Sequence, residues 1–154
     1  MSKSTFAYVT FIHATPEQVW SALTTPEFMR QYWFDMHCES DWKKGSSWKL
    51  VFPDGRIADM GEIVESDPPR RLTIKWRNQW KEELKAEGYS LCTFTLEVVP
   101  DNAKPVVKLT VVHSIESEGS KLIEAVSGGW PRILSNLKSL LETGEIIMPA
   151  SGHN

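Results

Sequence analysis

The sequence is poor in cysteine and has no long apolar stretch. Its 154 residues include only two cysteines, Cys38 and Cys92, which do not form a CxxC pair. This excludes a disulfide-rich scaffold and argues against a metal site built on sulfur ligands. No apolar run approaches the roughly 18 residues that a membrane-spanning helix needs, and residues 1–5 lack the apolar segment of a signal peptide. We therefore expect a cytoplasmic protein without a membrane span.

Short motifs of known chemistry are also missing. The four histidines are scattered, without the HxxxH or HExxH spacing of helical zinc sites. There is no GxGxxG loop, no Walker loop and no GxSxG turn, which argues against nucleotide-dependent chemistry and against an α/β-hydrolase nucleophile. The net charge of −3 argues against a nucleic-acid or polyphosphate partner. The sequence accordingly predicts no cofactor and no metal.

What the sequence does contain is a globular composition with an excess of tryptophan. Its length fits one domain, and the surface scaling law lets such a chain bury about 69% of its surface. Nine glycines, nine prolines and 24% charged residues of both signs are typical of an ordered chain. The seven tryptophans either build a large core or line a cavity: they are Trp20, Trp33, Trp42, Trp48, Trp76, Trp80 and Trp130.

Two short helices are predicted near the start of the chain. The segment Thr15-Pro16-Glu17-Gln18 has the residues of a capping box, with proline at the first helical position. A second start follows at Thr25-Pro26-Glu27. Because a proline disfavours helical geometry in the residue before it, we expect a break between the two helices at Thr25.

A long amphipathic helix is predicted from about residue 120 to 142. Gly128, Gly129 and Pro131 interrupt it, so either the helix kinks there or the glycines admit something close to its surface. Gly144 is suited to end it. Apolar residues recur along it at spacings of three and four, which gives one continuous apolar face: Ile123, Val126, Trp130, Ile133, Leu137 and Leu140.

Between the helices, apolar and polar residues alternate with the period of two that is typical of half-buried strands. Residues 78–88 break this pattern and are predicted to form a long hairpin connection with one helical turn. Such strands form an antiparallel sheet with one covered and one wet face. The strands are predicted over residues 5–13, 47–52, 56–65, 71–77, 92–98 and 107–113.

The long helix cannot bury its apolar face alone, and the sheet offers the only apolar partner. We therefore predict an α+β helix-grip fold, in which a curved antiparallel sheet of about six to seven strands wraps around the C-terminal helix. Two short helices follow the first strand. A single domain is expected over residues 1–154, with its core at about 6–143 and a flexible tail at 145–154.

Two blocks of sequence resemble a known family. Residues 61–72, Gly-Glu-Ile-Val-Glu-Ser-Asp-Pro-Pro-Arg-Arg-Leu, and the pair Gly129-Trp130 are similar to the START-like (Bet v-type, SRPBCC) superfamily. The resemblance is closest to the branch of the activator of heat-shock-protein-90 ATPase homologue, in its C-terminal domain. It covers about residues 6–143 and implies a cavity for a small apolar or amphipathic molecule. The Asn-rich signature of the co-chaperone's additional domain is missing, so the co-chaperone activity does not follow from the resemblance.

The helix-grip fold directs four tryptophans from four elements, Trp33, Trp48, Trp76 and Trp130, at one space. We predict that these indoles converge on a cavity, with Trp80 at its rim as a lid contact or a docking residue. Met29 and Arg132 are further candidates, at the wall and at the mouth. The predicted ligand-binding residues are Trp33, Trp48, Met60, Trp76, Phe94, Val111, His113, Trp130 and Leu134.

Two polar residues are candidates for acid–base chemistry. His113 shares a strand face with Leu109 and Val111 and therefore points inward; it is either a satisfied core histidine or a polar handle for a ligand. Asp59 shares strand parity with Ile63, and we expect Gly61 to leave space beside it. Asp59 is either a solvated carboxylate near a turn or one member of an Asp59–His113 catalytic pair.

Three functions fit these observations. The first is the binding of a small hydrophobic or aromatic ligand, lipid-like or polyketide-like, in an internal cavity. The second is an enzyme of cyclase or dehydratase type, which would need converging polar residues. The third is a protein-interaction module of co-chaperone type, which predicts an exposed apolar patch near Trp80. The chain is expected to be a monomer or a homodimer.

Overall fold

A computed structural model describes residues 3–149 and contains seven strands and four helices over that range. The capped, periodic and alternating segments of the sequence fall in the regular elements. In chain order these are β1 (Ser4–Ile12), α1 (Pro16–Thr24), α2 (Pro26–Tyr32), β2 (His37–Ser40), β3 (Ser47–Val51), β4 (Ile57–Asp67), β5 (Arg71–Asn78), α3 (Glu82–Lys85), β6 (Ser90–Val98), β7 (Val107–Ile115) and α4 (Lys121–Thr143).

The strands form one curved sheet in the order β1-β7-β6-β5-β4-β3-β2, and every neighbouring pair is antiparallel. Its inner face packs against α4, which buries Trp130, Ile133, Leu134 and Leu137. The predicted α+β helix-grip fold is confirmed. Within residues 3–149, no helix combines the length and the apolar character needed to cross a membrane.

The predicted start signals of the two short helices are present as side-chain geometry. The Thr15 hydroxyl accepts a hydrogen bond from the Gln18 amide at 3.1 Å, and the Thr15 amide donates to the Gln18 side chain at 2.8 Å. Thr25 is extended and ends α1 while beginning α2, as the following proline requires. These caps fix the direction in which α2 delivers Trp33 to the interior.

Helix α4 runs without interruption through Gly128, Gly129 and Pro131. Ser120 caps its start, and Gly144, in the left-handed conformation, caps its end. A Cβ built on either internal glycine would meet no atom within 4 Å outside the neighbouring helix backbone. Within residues 3–149, no other element therefore packs closely on α4 at these glycines, which was one of the two interpretations.

Two details of the sheet depart from simple alternation. Strict alternation with Trp48 and Leu50 would place Val51 on the outer face, but Val51 is buried because a bulge at Leu50/Val51 shifts the register of β3 on β4. Strand β2 has four residues, which is too short for an alternating pattern to show. The sheet therefore has one more strand beside β3 than the alternating pattern predicts.

The segment after α4 is held to the helix by a buried amide. The Asn136 side chain is fully buried, accepts hydrogen bonds from the amides of Ile147 and Met148, and donates to the carbonyls of Tyr32 and Met148. The part of the predicted flexible tail at 145–149 is thus tied to the domain. The rest of that prediction, residues 150–154, lies outside the described residues.

Candidate functional site

A glycine lets two indoles meet on the inner face of the sheet. Gly61 pairs with Trp48 on one side and with Trp76 on the other, and the centroids of these two rings lie 4.4 Å apart. A Cβ on Gly61 would overlap the carbonyl oxygen of Lys75. The prediction that Gly61 leaves space beside Asp59 is therefore wrong: the place of its side chain is taken by the backbone of β5.

The four predicted indoles do converge. Trp33 at the end of α2 lies 6.3 Å from Trp76 and 5.5 Å from Trp130 between ring centroids, and Trp76 lies 5.8 Å from Trp130. All four side chains, Trp48 included, are buried. The indoles pack on one another and fill much of the space that the sheet and α4 enclose, so only a small cleft is left beside them.

The space that remains is a cleft of about 200 Å³ between the sheet, α3 and the first half of α4. Trp80 contributes a fourth indole to its wall in place of Trp48. Asp59, Asn78 and Lys81 are the only non-apolar side chains in its lining. The lining residues are Trp33, Leu50, Asp59, Trp76, Asn78, Trp80, Lys81, Leu84, Leu122, Ala125, Val126, Gly129, Trp130 and Ile133.

The wall that carries Trp80 is fastened at both ends. The Asn78 side-chain oxygen accepts hydrogen bonds from the amides of Trp80 and Lys81, at 3.1 and 2.9 Å. At the other end, the Glu87 carboxylate accepts from the Ser120 hydroxyl and from the amide of Lys121, so it also caps α4. Residues 78–88 therefore form one side of the cleft, with α3 as the predicted helical turn.

Asp59 lines the cleft and is only 6% exposed. It sits on the inner face in register with Leu50 and Asn78. Burial raises the pKa of its carboxyl to about 7, although the side-chain N–H groups of Trp76 and Asn78 act in the lowering direction. None of the salt bridges within residues 3–149 includes Asp59. It is a buried carboxyl without a cation.

His113 also lies beside Trp76, with the two ring centroids 5.1 Å apart, and belongs to a closed hydrogen-bond network. The indole N–H of Trp130 donates to His113 Nδ1 at 3.2 Å, so the ring proton belongs on Nε2. That nitrogen contacts the Ser90 hydroxyl at 2.8 Å, and the hydroxyl donates to the Trp76 carbonyl at 3.0 Å. Burial lowers the pKa of His113 to about 4. The ring is therefore neutral at physiological pH, and both of its nitrogens are satisfied.

The structure does not join Asp59 and His113. Trp130 and Ser90 occupy the two ring nitrogens of His113, which leaves neither nitrogen free for a carboxylate or a substrate. Of the two interpretations of His113, the satisfied core histidine is the one that this network matches. A cyclase or dehydratase based on that pair lacks its second member.

Only three of the nine predicted ligand-binding residues line the cleft, namely Trp33, Trp76 and Trp130. Met60 is 41% exposed, because its parity on β4 is opposite to that of Asp59. Met29 is buried beneath the cleft, with its sulfur accepting from the Cys38 amide, and Arg132 is exposed and does not reach the lining. Five others are buried in the surrounding core without lining the cleft: Trp48, Phe94, Val111, His113 and Leu134.

Several lining residues were not singled out from the sequence. Asn78 continues the inward parity of Leu72, Ile74 and Trp76 by one step, so the alternation could have identified it. Leu84 stands in a charged run, Lys81 to Glu87, of a kind that is typical of a solvated loop, yet it is buried. No local pattern marks it, because its position depends on the docking of α3 against α4.

The cleft offers aromatic faces, one carboxyl and one amide. Within residues 3–149, no group of three or more histidine, cysteine, aspartate or glutamate side chains is arranged to hold a metal ion. Chemically, the arrangement suits the enclosure of a small apolar body with one polar contact at Asp59.

Comparison with known families and structures gives a consistent result. Residues 13–142 match the family described as Activator of Hsp90 ATPase homolog 1-like protein. No protein of curated function matches the sequence significantly.

Solved structures share the fold at low sequence identity. The protein ChR145 from Cytophaga hutchinsonii is 27% identical, with a TM-score of 0.71, over 94% of this chain and 98% of the other. An HSP90 activator from Plasmodium falciparum is 22% identical, with a TM-score of 0.71, over 89% and 95% of the two chains. The Aha1 dimer from Colwellia psychrerythraea is 22% identical, with a TM-score of 0.69, over 92% and 98%.

Proposed function

Starting from a chain that belongs to the Activator of Hsp90 ATPase homolog 1-like family, we propose that it binds a small hydrophobic or aromatic ligand in the cleft between the sheet, α3 and α4. The observation that carries this proposal is the lining of the cleft. Four indoles from four parts of the chain, Trp33, Trp76, Trp80 and Trp130, face a space of about 200 Å³ that no side chain fills. An apolar cavity of about 150 Å³ can already hold benzene, so this cleft has room for one or two rings.

The helix glycines support the same site. Gly129 lines the cleft, and a Cβ at that position would meet no atom within 4 Å. Glycine in the interior of a helix costs about 1 kcal/mol relative to alanine. Here the absence of a side chain keeps part of the cleft open, which offers a functional reason for a locally unfavourable residue.

Two adjacent glycines give a matched test. Leucine at Gly129 would fill the cleft, whereas leucine at Gly128, which has the same helical setting and open surroundings but is not in the lining, would not. We expect 2-naphthol to shift the indole N–H resonances of Trp76 and Trp130 in the wild type and in Gly128→Leu, and to shift neither in Gly129→Leu. Equal shifts in both variants would place the ligand elsewhere and overturn the proposal.

A protein contact is a second candidate, favoured by one observation. Trp80 is 50% exposed at the rim of the cleft, and one of the structural neighbours is described as an HSP90 activator. If this surface serves a chaperone, the wild-type protein should raise the ATPase rate of heat-shock protein 90, and Trp80→Ala should not. An unchanged ATPase rate with the wild type would remove this candidate and leave ligand binding unaffected.

A further inference from the structure

We propose that the ligand of the cleft is an organic cation, an amine whose ammonium group pairs with Asp59 while its apolar body packs among the indoles. This inference rests on the proposed binding function and adds the charge of the ligand. Three features of the cleft carry it: a buried acid without a cationic partner, the indole faces and the remaining charges.

The acid comes first. Asp59 is 6% exposed, lines the cleft and has no salt-bridge partner within residues 3–149. The neutral side-chain N–H groups of Trp76 and Asn78 act on its carboxyl, and the buried Cys38 thiol lies near it. Buried acids are normally paired, because a charge removed from water is costly unless an opposite charge replaces the lost hydration. A ligand ammonium would supply the charge that this chain does not.

The aromatic faces favour the same sign of charge. The face of an indole carries negative potential and attracts a cation within about 6 Å of the ring centroid, and tryptophan does so best among the aromatic residues. Trp33, Trp76, Trp80 and Trp130 surround the cleft. The chain already makes one such contact at the rim, where the Lys81 ammonium lies 5.0 Å from the Trp80 ring centroid.

The cleft has one other charged side chain, Lys81, and it is not paired with Asp59. Strands β3 and β5 contribute Leu50, Trp76 and Asn78 beside Asp59, and α4 contributes only apolar residues to the lining. Lys81 lies before α3, contacts Trp80 and forms no salt bridge with Asp59. An anionic ligand would meet the acid in this lining, so anions are disfavoured.

A neutral alternative has to be separated from this proposal. Because burial raises the pKa of Asp59 to about 7, the protonated carboxyl could instead donate a hydrogen bond to a ligand carbonyl. The two cases respond oppositely to pH. A cation needs ionised Asp59 and binds more weakly as the pH falls below 7, whereas a carbonyl needs the protonated form and binds more weakly as the pH rises above 7.

The experiment uses four probes with one ring system and different charge. Binding of 2-(2-naphthyl)ethylamine, 2-(2-naphthyl)ethanol, 2-acetonaphthone and 2-naphthylacetate is measured by calorimetry at pH 8. We expect the amine to bind at least tenfold more tightly than the alcohol or the ketone, and the acetate to bind most weakly. Below pH 7 the amine should lose about tenfold in affinity per pH unit while the alcohol stays constant.

Two variants locate the effect. Asp59→Asn should reduce the affinity for the amine to that for the alcohol, and Glu62→Gln, which removes an exposed acid from the same strand, should preserve the preference. If the alcohol or the ketone binds the wild type as tightly as the amine, the cationic ligand is ruled out and the binding function stands. If no probe binds, both proposals fall. An amine preference that persists in Asp59→Asn also overturns the inference.

Discussion

Two regions that contact Trp76 satisfy their buried polar groups to different extents. Around His113, the imidazole, the Ser90 hydroxyl and the indole N–H of Trp130 form a chain in which every donor has an acceptor, ending at the Trp76 carbonyl. In the cleft, Asp59 is buried against an unfilled space and has no salt-bridge partner within residues 3–149. The first region needs nothing further, whereas the second is incomplete.

This difference separates positioning from binding. A fully satisfied buried network is rigid and fixes one arrangement of its members, and this one holds both Trp76 and Trp130, which are also walls of the cleft. An incompletely satisfied group stays costly until a ligand supplies its partner. The closed region, which is the hydrogen-bond network of His113, thus positions two walls of the open region, which is the cleft with Asp59. Each region can be changed separately by mutation.

The largest expected effect comes from Gly61, which pairs with Trp76 in the sheet and so helps to position the ring that both regions contact. In Gly61→Ala the new Cβ would overlap the backbone of Lys75, so β4 and β5 would have to separate and the Trp48–Trp76 contact would loosen. We expect a loss of about 3 kcal/mol or more in the free energy of unfolding, measured with urea. Gly128→Ala is the control, with open space and a helical backbone, and should gain up to about 1 kcal/mol. Equal stability of the two variants would contradict the close approach.

The second prediction concerns a mutation that disrupts the hydrogen-bond network of His113. His113→Leu removes the acceptor of the Trp130 indole N–H and the donor to Ser90, which should cost about 2–4 kcal/mol. Burial keeps His113 neutral in the folded state down to about pH 4, while it protonates near 6.5 when unfolded. The unfolded state therefore binds the extra proton first, and wild-type stability falls as the pH drops from about 6.5 toward 4.

Asp59 has the opposite pH dependence over part of this range, so the comparison is made in an Asp59→Asn background. There, urea unfolding from pH 7.5 to 4.5 should show the loss of stability at low pH with His113 present and no such loss with leucine at that position. His13→Gln, a change at an exposed histidine, should retain the slope. A slope that survives His113→Leu would assign it to another group.

How far the sequence predicts this molecule depends on the distance over which each signal acts. The capping box at Thr15, the break at Thr25 and the alternating strands are local, and each is found where the sequence indicates it. The convergence of the four indoles also follows, because strand parity and the helical stripe determine which way each ring points.

The site was less predictable for physical reasons. Whether converging indoles enclose a cavity or fill it depends on their rotamers and on the 4.4 Å approach of Trp48 to Trp76 over Gly61. The place of Leu84 depends on how α3 docks, and the burial of Val51 depends on a bulge. Met60 differs, since its parity opposite to Asp59 already excluded it from the inner face.

A smaller change in the free energy of unfolding, this time a gain in stability, tests the open region around Asp59. Burial keeps Asp59 protonated in the folded state up to about pH 7, while the unfolded carboxyl ionises near 3.8. The folded state is therefore penalised as the pH rises from about 4 to 7, and the penalty is complete above 7. The difference between these two pKa values sets an upper limit of about 4 kcal/mol on the penalty. Because the carboxyl borders a cleft that admits water, we expect Asp59→Asn to be more stable than the wild type at pH 8 by about 2 kcal/mol, and nearly equal to it at pH 4.

Chemical unfolding at the two pH values measures this gain. Glu62→Gln, which neutralises an exposed acid of the same strand, should change stability by less than about 0.5 kcal/mol at either pH. Were Asp59→Asn no more stable than the wild type at pH 8, the carboxyl would already have its partner within the protein, and the contrast between the two regions would disappear.

The smallest effect on stability belongs to the rim. Trp80 is 50% exposed and packs edge-on against Phe52 at 5.3 Å between ring centroids, so Trp80→Ala should cost less than about 1 kcal/mol of folding free energy. The same change removes one wall of the cleft and should weaken the binding of a naphthyl ligand about five- to tenfold, because one aromatic contact contributes about 1 kcal/mol. Tyr89→Ala is the matched control, since Tyr89 is 47% exposed and stacks with Lys75, outside the cleft. Titration of both variants with the same ligand separates the cases: equal affinities would mean that the cleft ends before Trp80, and that this indole serves only the outer surface.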